Sequence, residues 1–337
     1  MGTRLQTYSG NPNREAAMRI FLSTMFALLA TMLCAPAQPS EQTSKAVLVT
    51  GASSGIGRKI TEHLAAEGHF VYATARKEED LKALGAIKNV QALRLDVTQP
   101  ADIAAAVEAV TKAGRGLHGL VNNAGVATFG TIATMRMEEF DLTMKVNVYG
   151  PVMMIKAFAP LLIAEQGRIV NIGSPSGITD GGGPDIAAYV MSKHAIEGLT
   201  KSLVLQFGPL GVHVSAVEPG AYRSEIDKNM LERLTEDEKA NMLKVWGPMP
   251  DPMMFPEADE VAVAVAQALF EPNPKRRYLA IPRNAQDRIN RRLPERIIRY
   301  QMKQLVEWNE GHGYTFDRAT LIKMLDDALV NARPRTQ

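Results

Sequence analysis

A short strand that runs directly into a glycine-rich turn constrains the fold of this chain most strongly. Residues 45–50 (KAVLVT) form an apolar, β-branched run that predicts a buried strand. The turn at residues 51–57 (GASSGIG) follows at once, and a helical pattern continues over residues 58–67. Glycines in such a turn let backbone N–H groups approach a pyrophosphate at the N-terminus of the helix. Strand, turn and helix together predict a nucleotide-binding unit.

Strands and helices continue to alternate along the chain. Further strands are predicted at residues 69–74, 91–95, 117–121, 168–172, 212–218 and 277–281, and helices at residues 101–113, 137–166 and 256–270. This alternation predicts an α/β fold of three layers, in which helices cover both faces of a doubly wound parallel sheet. Because the carboxyl ends of parallel strands share one edge, we expect the ligand site at that edge.

The composition argues against several classes of function. The 337 residues are 46% hydrophobic and 22% charged with a formal net charge of +2, which gives no overall case for nucleic-acid binding. One cysteine rules out a disulfide framework, and the six histidines form no zinc-like cluster. We therefore expect a globular protein without a metal.

The first 40 residues have the pattern of an export signal rather than of a folded element. Arginines precede an apolar run at residues 20–33, and a small-x-small sequence follows at residues 35–37. The run is shorter than the about 20 residues that a membrane span needs. Residues 1–40 are therefore predicted to be a signal peptide, with an unprocessed membrane anchor or a disordered or helical extension as alternatives. A signal peptide implies a periplasmic or secreted protein, and an anchor implies a membrane-bound one. If residues 1–40 are not an export signal, the protein is expected in the cytoplasm.

The end of the second predicted strand favours NADP over NAD. An acidic residue there would bind the ribose 2′-hydroxyl of NAD, but the sequence is Ala75-Arg76-Lys77. Arg76, together with Lys77, would instead meet a 2′-phosphate through charge-assisted hydrogen bonds. A solvated basic turn is the alternative interpretation.

A tyrosine and a lysine stand four residues apart in a helical context. Tyr189 and Lys193 would share one helix face, within reach of a common ligand. A free phenol has a pKa of about 10, too high for proton exchange near neutral pH. A fixed ammonium group stabilises the phenolate and lowers that pKa, so the pair can act as a general acid and base. The same spacing also occurs in ordinary surface residues, and the surrounding motifs decide between the two interpretations.

Six motifs stand in a fixed order along residues 44–282. They are Thr50-Gly51-x-x-x-Gly55-x-Gly57, Asn122-Asn123-Ala124-Gly125, Asn147, a serine near residue 174, Tyr189 with Lys193, and Pro219-Gly220. In order and approximate spacing they resemble the short-chain dehydrogenase/reductase family. The resemblance is to the single-domain branch, and loosely to retinol- and steroid-dehydrogenase-like members. It implies a Rossmann fold that binds a nicotinamide dinucleotide.

The resemblance implies that Asn147, Ser174, Tyr189 and Lys193 are catalytic. Tyr189 would exchange the proton, while Lys193 would lower the pKa of the phenol and hold the nicotinamide ribose hydroxyls. The serine would hydrogen-bond the substrate oxygen, and Asn147 would help to hold a water that links Lys193 to solvent. The implied cofactor contacts are Thr50, Gly51, Ser53, Ser54, Gly55, Ile56, Gly57, Arg76, Asp96, Val97, Asn123, Ala124, Gly125, Tyr189, Lys193, Pro219 and Gly220.

Two serines compete for the catalytic position. The family pattern of a hydroxyl residue three residues before a glycine selects Ser174, which precedes Gly177. The family's usual spacing to the tyrosine selects Ser176 instead. A short insertion in the flexible loop at residues 178–186 reconciles that spacing with Ser174. We favour Ser174 because it lies closer to the end of the preceding strand.

The chain beyond the sixth strand is less regular. Residues 221–256 are rich in methionine and poorly periodic, and they form either an adaptable apolar lid or helices that pack only on one another. Residues 283–337 are locally basic and predict a C-terminal helical extension, which either rests on an anionic membrane or packs on the core behind a solvated basic face. The family resemblance implies a homodimer or homotetramer.

The patterns together predict an NAD(P)-dependent oxidoreductase that interconverts an alcohol and a ketone or aldehyde. A methionine-rich lid would make the substrate a fairly apolar small molecule. The alternative is a catalytically silent sensor or scaffold that keeps the fold and the nucleotide site. Support for this alternative comes from the export-like N-terminus, because an exported protein would lack a cytosolic NADP pool.

Overall fold

The computed structural model describes residues 44–178 and 185–282, together with the four residues 319, 320, 322 and 323. The signal peptide or anchor predicted in residues 1–40 lies outside the described residues. So does the helical extension predicted in residues 283–337, apart from those four positions, and so does the central part of the loop at residues 178–186.

A seven-stranded parallel sheet forms the centre of the described chain, in the order β3-β2-β1-β4-β5-β6-β7. Its strands are β1 (Ala46–Val49), β2 (Phe70–Ala75), β3 (Val90–Arg94), β4 (Gly119–Asn122), β5 (Arg168–Ile172), β6 (His213–Pro219) and β7 (Arg277–Ala280). The predicted strand bounds differ from these by at most two residues. Strand order reverses at β1, which pairs with β2 on one side and with β4 on the other. A ligand crevice is expected at the carboxyl end of this switch point.

Helices cover both faces of the sheet. They are α1 (Gly55–Ala66), α2 (Glu78–Gly85), α3 (Pro100–Ala113), α4 (Met137–Met144), α5 (Gly150–Ala164), α6 (Ala187–Phe207), α7 (Ile226–Arg233), α8 (Glu236–Trp246) and α9 (Asp259–Phe270). Alternate residues of each strand face opposite layers: Val47 and Val49 pack in a cluster with α1 and α9, whereas Ala46 and Leu48 pack with α3 and α5. The predicted three-layer α/β fold is confirmed.

The helix predicted over residues 137–166 is interrupted. A π-helical segment, Lys145–Tyr149, separates α4 from α5, and α5 ends at Ala164. Taken as one helix, Met137–Ala164 is long and apolar enough to cross a membrane by length and composition. Its residues Phe158 and Leu162 are fully buried against the sheet, however, so we interpret it as a core helix.

The poorly periodic segment, residues 221–256, contains the helices α7 and α8. Thr235 begins α8 with a capping box, in which its hydroxyl accepts from the backbone of Glu238 while the Glu238 carboxylate accepts from Thr235. Met230 and Met242 are buried with Phe129 in a small cluster of their own. For these two methionines the structure therefore favours packing between the lid helices over contact with a ligand.

Candidate active site

The glycine-rich turn is clamped onto the end of β4. The hydroxyl of Thr50 accepts hydrogen bonds from the backbone N–H groups of Asn123 (2.9 Å) and Ala124 (3.0 Å). The side-chain amide of Asn123 donates to the carbonyl oxygens of Thr50 (2.9 Å) and Gly51 (3.0 Å). Gly51 has a φ of 65° and lies so close to Ala124 that a Cβ would stand 2.9 Å from its Cα. Thr50 and Asn123 thus hold the backbone of the turn in a shape that only glycine permits.

The start of α1 fits the pyrophosphate of a dinucleotide. A Cβ on Gly57 would lie 2.2 Å from the carbonyl oxygen of Gly51, so the helix and the turn touch through bare backbone. Within the described residues, no side-chain hydrogen bond caps α1 at Ser54, and its first turn carries no acidic residue. The positive end of the helix is therefore available to an anion. Ser53 and Ser54 are partly exposed there, whereas Ile56 packs against the core.

The ends of β2 and β3 carry the residues expected at the adenosine side. Arg76 is 68% exposed, and its Nη1 lies 3.8 Å from Oδ2 of Asp96. The other oxygen of Asp96 accepts from the backbone N–H (2.9 Å) and the hydroxyl (2.7 Å) of Thr98. Val97 is buried, and a Cβ on Gly150 would stand 2.8 Å from its Cγ2, so it packs tightly on α5. Arg76 keeps an exposed guanidinium that could contact a phosphate.

Asn147 lies in the π-helical segment and joins two parts of the site. Its Oδ1 accepts from the N–H of Val126 (2.8 Å), and its Nδ2 donates to the carbonyl oxygen of Val126 (2.9 Å). The same Nδ2 donates to the hydroxyl of Ser192 (3.0 Å), which in turn donates to the carbonyl oxygen of Tyr189 (2.7 Å). Asn147 therefore ties the loop after β4 to the turn of α6 that carries Tyr189. Sequence reasoning missed Ser192 as the link, because a serine between Tyr189 and Lys193 has no distinctive pattern.

Lys193 is buried behind Tyr189 on α6. Its Nζ donates to the carbonyl oxygen of Ile172 (2.9 Å) and lies 5.5 Å from the centre of the Tyr189 ring. Burial lowers the pKa of Lys193 to about 8, while the negative charge of Glu218 raises it. An ammonium group at this distance stabilises negative charge on the phenol, as a proton-exchanging tyrosine requires.

Ser174 and Ser176 are both buried after the end of β5. Ser174 follows Ile172 with only Gly173 between them, and its hydroxyl accepts from the backbone N–H of Ser176 (3.2 Å). Ser176 lies two residues after Ser174, inside the 3₁₀ turn Pro175–Gly177. Ser174 is thus the serine nearer to the strand end, and its catalytic role stays a prediction.

The remaining predicted residues reach the same edge of the sheet. Pro219 ends β6, and the N–H of Gly220 donates to the carbonyl oxygen of Ala280 at the end of β7 (2.8 Å). Gly125 follows β4 near Asn147, since a Cβ there would lie 3.5 Å from the Asn147 Oδ1. Because all strands are parallel, these residues meet the glycine-rich turn and the Tyr189 helix at the carboxyl edge.

Three charged residues, two of them buried, were missed in the sequence. Glu218 is fully buried on β6, Glu197 is buried on α6, and Arg277 begins β7. A usable signal was present: a glutamate in an otherwise apolar strand run is unusual unless it has a buried partner. Among the described residues, no group of His, Cys, Asp and Glu side chains could hold a metal ion.

Comparison with known proteins agrees with this geometry. Mitochondrial D-beta-hydroxybutyrate dehydrogenase of Mus musculus is 33% identical over 224 residues, which are 64% of each chain, so this chain spans just under two thirds of that relative. The 3-alpha-(or 20-beta)-hydroxysteroid dehydrogenase of Mycobacterium bovis is 37% identical over 183 residues, covering 53% of this chain and 70% of that protein. The crystal structure of a metagenomic short-chain oxidoreductase in complex with NADP superposes with a TM-score of 0.55 at 31% identity, covering 71% of this chain and 97% of its own. The family model of the short chain dehydrogenases matches residues 45–235. This match covers more than half of the chain, which therefore belongs to the short-chain dehydrogenase family.

Proposed function

We propose that the protein is an oxidoreductase that interconverts an alcohol and a ketone or aldehyde, using a nicotinamide dinucleotide. The observation that carries the proposal is the buried ammonium of Lys193, held between the Ile172 carbonyl and the ring of Tyr189. The glycine-rich turn at the same sheet edge supplies a place for the pyrophosphate. The two hydroxysteroid and hydroxybutyrate dehydrogenase relatives support the same type of reaction.

The side chains divide the chemistry among them. A bound nicotinamide would accept or supply the hydride. In the reduction, Tyr189 donates its phenolic proton to the carbonyl oxygen, and in the oxidation its phenolate accepts the alcohol proton. Lys193 stabilises the phenolate, and Ser174 donates a hydrogen bond to the substrate oxygen as negative charge develops there. Asn147 orients α6 through Ser192, in addition to the water-holding role expected from the family resemblance.

The cofactor in this proposal is NADP rather than NAD. Arg76 and Lys77 are exposed directly after β2, where NAD binding would favour an acidic side chain. The crystal structure that contains NADP is a supporting likeness. The neighbouring Asp96 would hold the guanidinium near the ribose without occupying its full hydrogen-bonding capacity.

The substrate in this proposal is a fairly apolar small molecule that carries a hydroxyl or carbonyl group. Support comes from the hydroxysteroid dehydrogenase relative. Met230 and Met242 do not add to this support. Their side chains pack in a cluster with Phe129, so they are not evidence for an apolar lid over the substrate.

Replacing the phenol tests the function directly. Tyr189→Phe should lower carbonyl-dependent oxidation of NADPH by about 100-fold or more, because it removes the general acid. Cofactor binding, followed by nicotinamide fluorescence, should remain nearly unchanged. Tyr149→Phe, a matched change at an exposed tyrosine, should leave both quantities unaltered.

The same assay separates the alternatives. Equal turnover in the Tyr189→Phe protein would refute the role of the phenol. Wild-type protein that binds the dinucleotide but turns over no compound in a panel of aldehydes and ketones would instead be a silent sensor or scaffold. Absence of dinucleotide binding would refute both.

We also propose that the protein forms a homodimer or homotetramer and that residues 1–40 export or anchor it. Exposed apolar side chains on α5 and α6 support the assembly, namely Val152, Met191 and Leu205. Membrane contact would be through the N-terminus or the basic C-terminal segment. Light scattering tests the assembly, with a monomer as the refuting result. N-terminal sequencing after cell fractionation tests the export, with an intact N-terminus in the cytosol as the refuting result.

A further inference from the structure

A buried carboxylate on β6 packs close to the carboxyl edge of the sheet. Glu218 is fully buried, and its Oε2 lies 2.2 Å from the place where a Cβ on Gly173 would stand. The preceding residue, Ile172, presents the carbonyl oxygen that accepts from Nζ of Lys193. Glu218 and Lys193 therefore both contact the short connection between β5 and Ser174.

Two further charged side chains, of which Glu197 is buried and Arg277 is partly buried, extend this pair. Nε of Arg277 lies 3.7 Å from Oε1 of Glu218, and the Arg277 guanidinium also pairs with the carboxylate of Glu197. Glu197 is four residues after Lys193, on the same face of α6. The signs alternate along the cluster Lys193, Glu218, Arg277 and Glu197, and the four charges sum to zero.

Charges in an apolar interior persist only where opposite charges or hydrogen bonds compensate their lost hydration. Burial raises the pKa of Glu218 to about 8, while Lys193 and the backbone N–H of Ser174 lower it. Burial lowers the pKa of Lys193, and the charge of Glu218 raises it. Each of the two groups thus favours the ionised form of the other.

Other titratable groups near Glu218 are few among the described residues. The helix α6 contributes Tyr189, Lys193 and Glu197, and β7 contributes Arg277. On α9, Glu260 instead accepts a hydrogen bond from Tyr222. A cavity of about 310 Å³ reaches the outer end of the cluster at Glu197 and Arg277, where His194 and Lys201 also line it.

We propose that Glu218 is a positioning residue, whose carboxylate keeps Lys193 in its ammonium form and holds the backbone that carries Ser174. Arg277 lies between the carboxylates of Glu218 and Glu197 and completes the cluster. The inference rests on the proposed function, since it concerns the state of Lys193 and the placement of Ser174 in that reaction. Glu218 touches neither substrate nor cofactor in this role and acts through these two residues.

The test is the titration of Lys193 in Glu218→Gln. NMR of protein labelled with ¹³C at the lysine Cε reports the Lys193 pKa without turnover, and the loss of its signal in Lys193→Met assigns it. An anion raises the pKa of a neighbouring ammonium group, so its removal should lower the Lys193 pKa by about one unit or more. In the kinetic pH profile, the alkaline limb of kcat/KM should shift to lower pH by the same amount.

Two further variants bracket the result. Glu197→Gln removes the anion at the far end of the cluster and should shift the Lys193 pKa in the same direction by less. Glu271→Gln is the matched control, because Glu271 accepts from the Tyr278 hydroxyl (3.2 Å) outside the cluster, and it should cause no shift.

The outcomes separate this inference from the proposed function. An unchanged Lys193 pKa in folded Glu218→Gln overturns the inference, whatever the activity. If Glu218→Gln does not fold, Glu197→Gln decides, and a titration identical to that of Glu271→Gln overturns the inference. A shifted Lys193 pKa in a protein that turns over no carbonyl compound supports the charge coupling and refutes the proposed function instead.

Discussion

At the carboxyl edge of the sheet, the ionisable side chains of Lys193 and Glu218 are buried, whereas at the amino edge a buried and a half-buried histidine stack on one phenylalanine ring. His69 precedes β2 and stacks on Phe270 at 3.8 Å between ring centres, and His118 precedes β4 and stacks on the same ring at 5.6 Å. Burial lowers the pKa of both histidines, which favours their neutral forms. Nε2 of His118 lies 3.0 Å from the carbonyl oxygen of Leu269, a contact that an uncharged ring can make.

The difference shows what burial of an ionisable group can serve. A neutral histidine adds aromatic packing and one hydrogen bond, so the amino edge gains stability without holding a charge. The carboxyl edge holds charges in the interior, which costs free energy and is offset only by partners of the opposite sign. Such an arrangement is typical of a functional site, where the charged group takes part in binding or catalysis.

The largest expected effect comes from adding a side chain where the glycine-rich turn and α1 touch, at the carboxyl edge. A methyl group on Gly57 would stand 2.2 Å from the Gly51 carbonyl oxygen. Gly57→Ala should therefore displace the turn and lower the free energy of unfolding by about 2 kcal/mol. Dinucleotide affinity should fall by about 30-fold if the same energy is lost on binding. Urea unfolding and fluorescence titration measure the two effects.

Gly198→Ala is the control for that change. It lies within α6, and a Cβ there meets nothing within 4 Å. Alanine should stabilise the helix by about 0.5–1 kcal/mol. Equal behaviour of the two alanine variants would contradict the close contact between turn and helix.

A smaller effect is expected from the exposed charge at the carboxyl edge. Arg76→Gln should weaken NADP binding by about 10-fold, because a hydrogen bond to a charged group contributes about 1.5–3 kcal/mol. NAD binding should hardly change, since NAD lacks the 2′-phosphate. Lys82→Gln, at an exposed position on α2, is the control. Parallel losses for NADP and NAD would contradict the assigned role of Arg76.

The smallest effect is expected at the amino edge, as a dependence of stability on pH. The folded-state pKa of His69 and of His118 lies below the ordinary value of about 6.5. The unfolded chain therefore binds protons first as the pH falls, and stability should be full above pH of about 7 and decline through pH of about 6.

His69→Phe keeps the aromatic stack and should remove part of that decline, as measured by the urea midpoint at several pH values. His194→Gln, a change at an exposed histidine, should leave the decline unaltered. The same slope in wild type and His69→Phe would mean that His69 does not carry the dependence.

Sequence patterns were sufficient for the sheet because each strand there is a short apolar run with its own turn signals. The order of the motifs also placed Thr50, Asn147, Tyr189 and Lys193 at one edge, since parallel strands bring their carboxyl ends together. The π-helical segment at Asn147 was not predictable, because the apolar periodicity on its two sides reads as one helix. The sequence left open whether the methionines of residues 221–256 face a ligand or pack between helices, because Met230 and Met242 pack on Phe129, a residue about a hundred positions away in sequence.

The sequence by itself determined the three-layer fold, the glycine turn and the family, because these depend on local residue types and their spacing. Only the tertiary structure decided which charged side chains pair in the interior. Glu197, Glu218 and Arg277 lie on three different elements, and no local pattern relates them. Their pairing follows from the register of β6 and β7 and from the face that α6 turns toward the sheet, since buried charges are stable only beside partners that the fold brings to them.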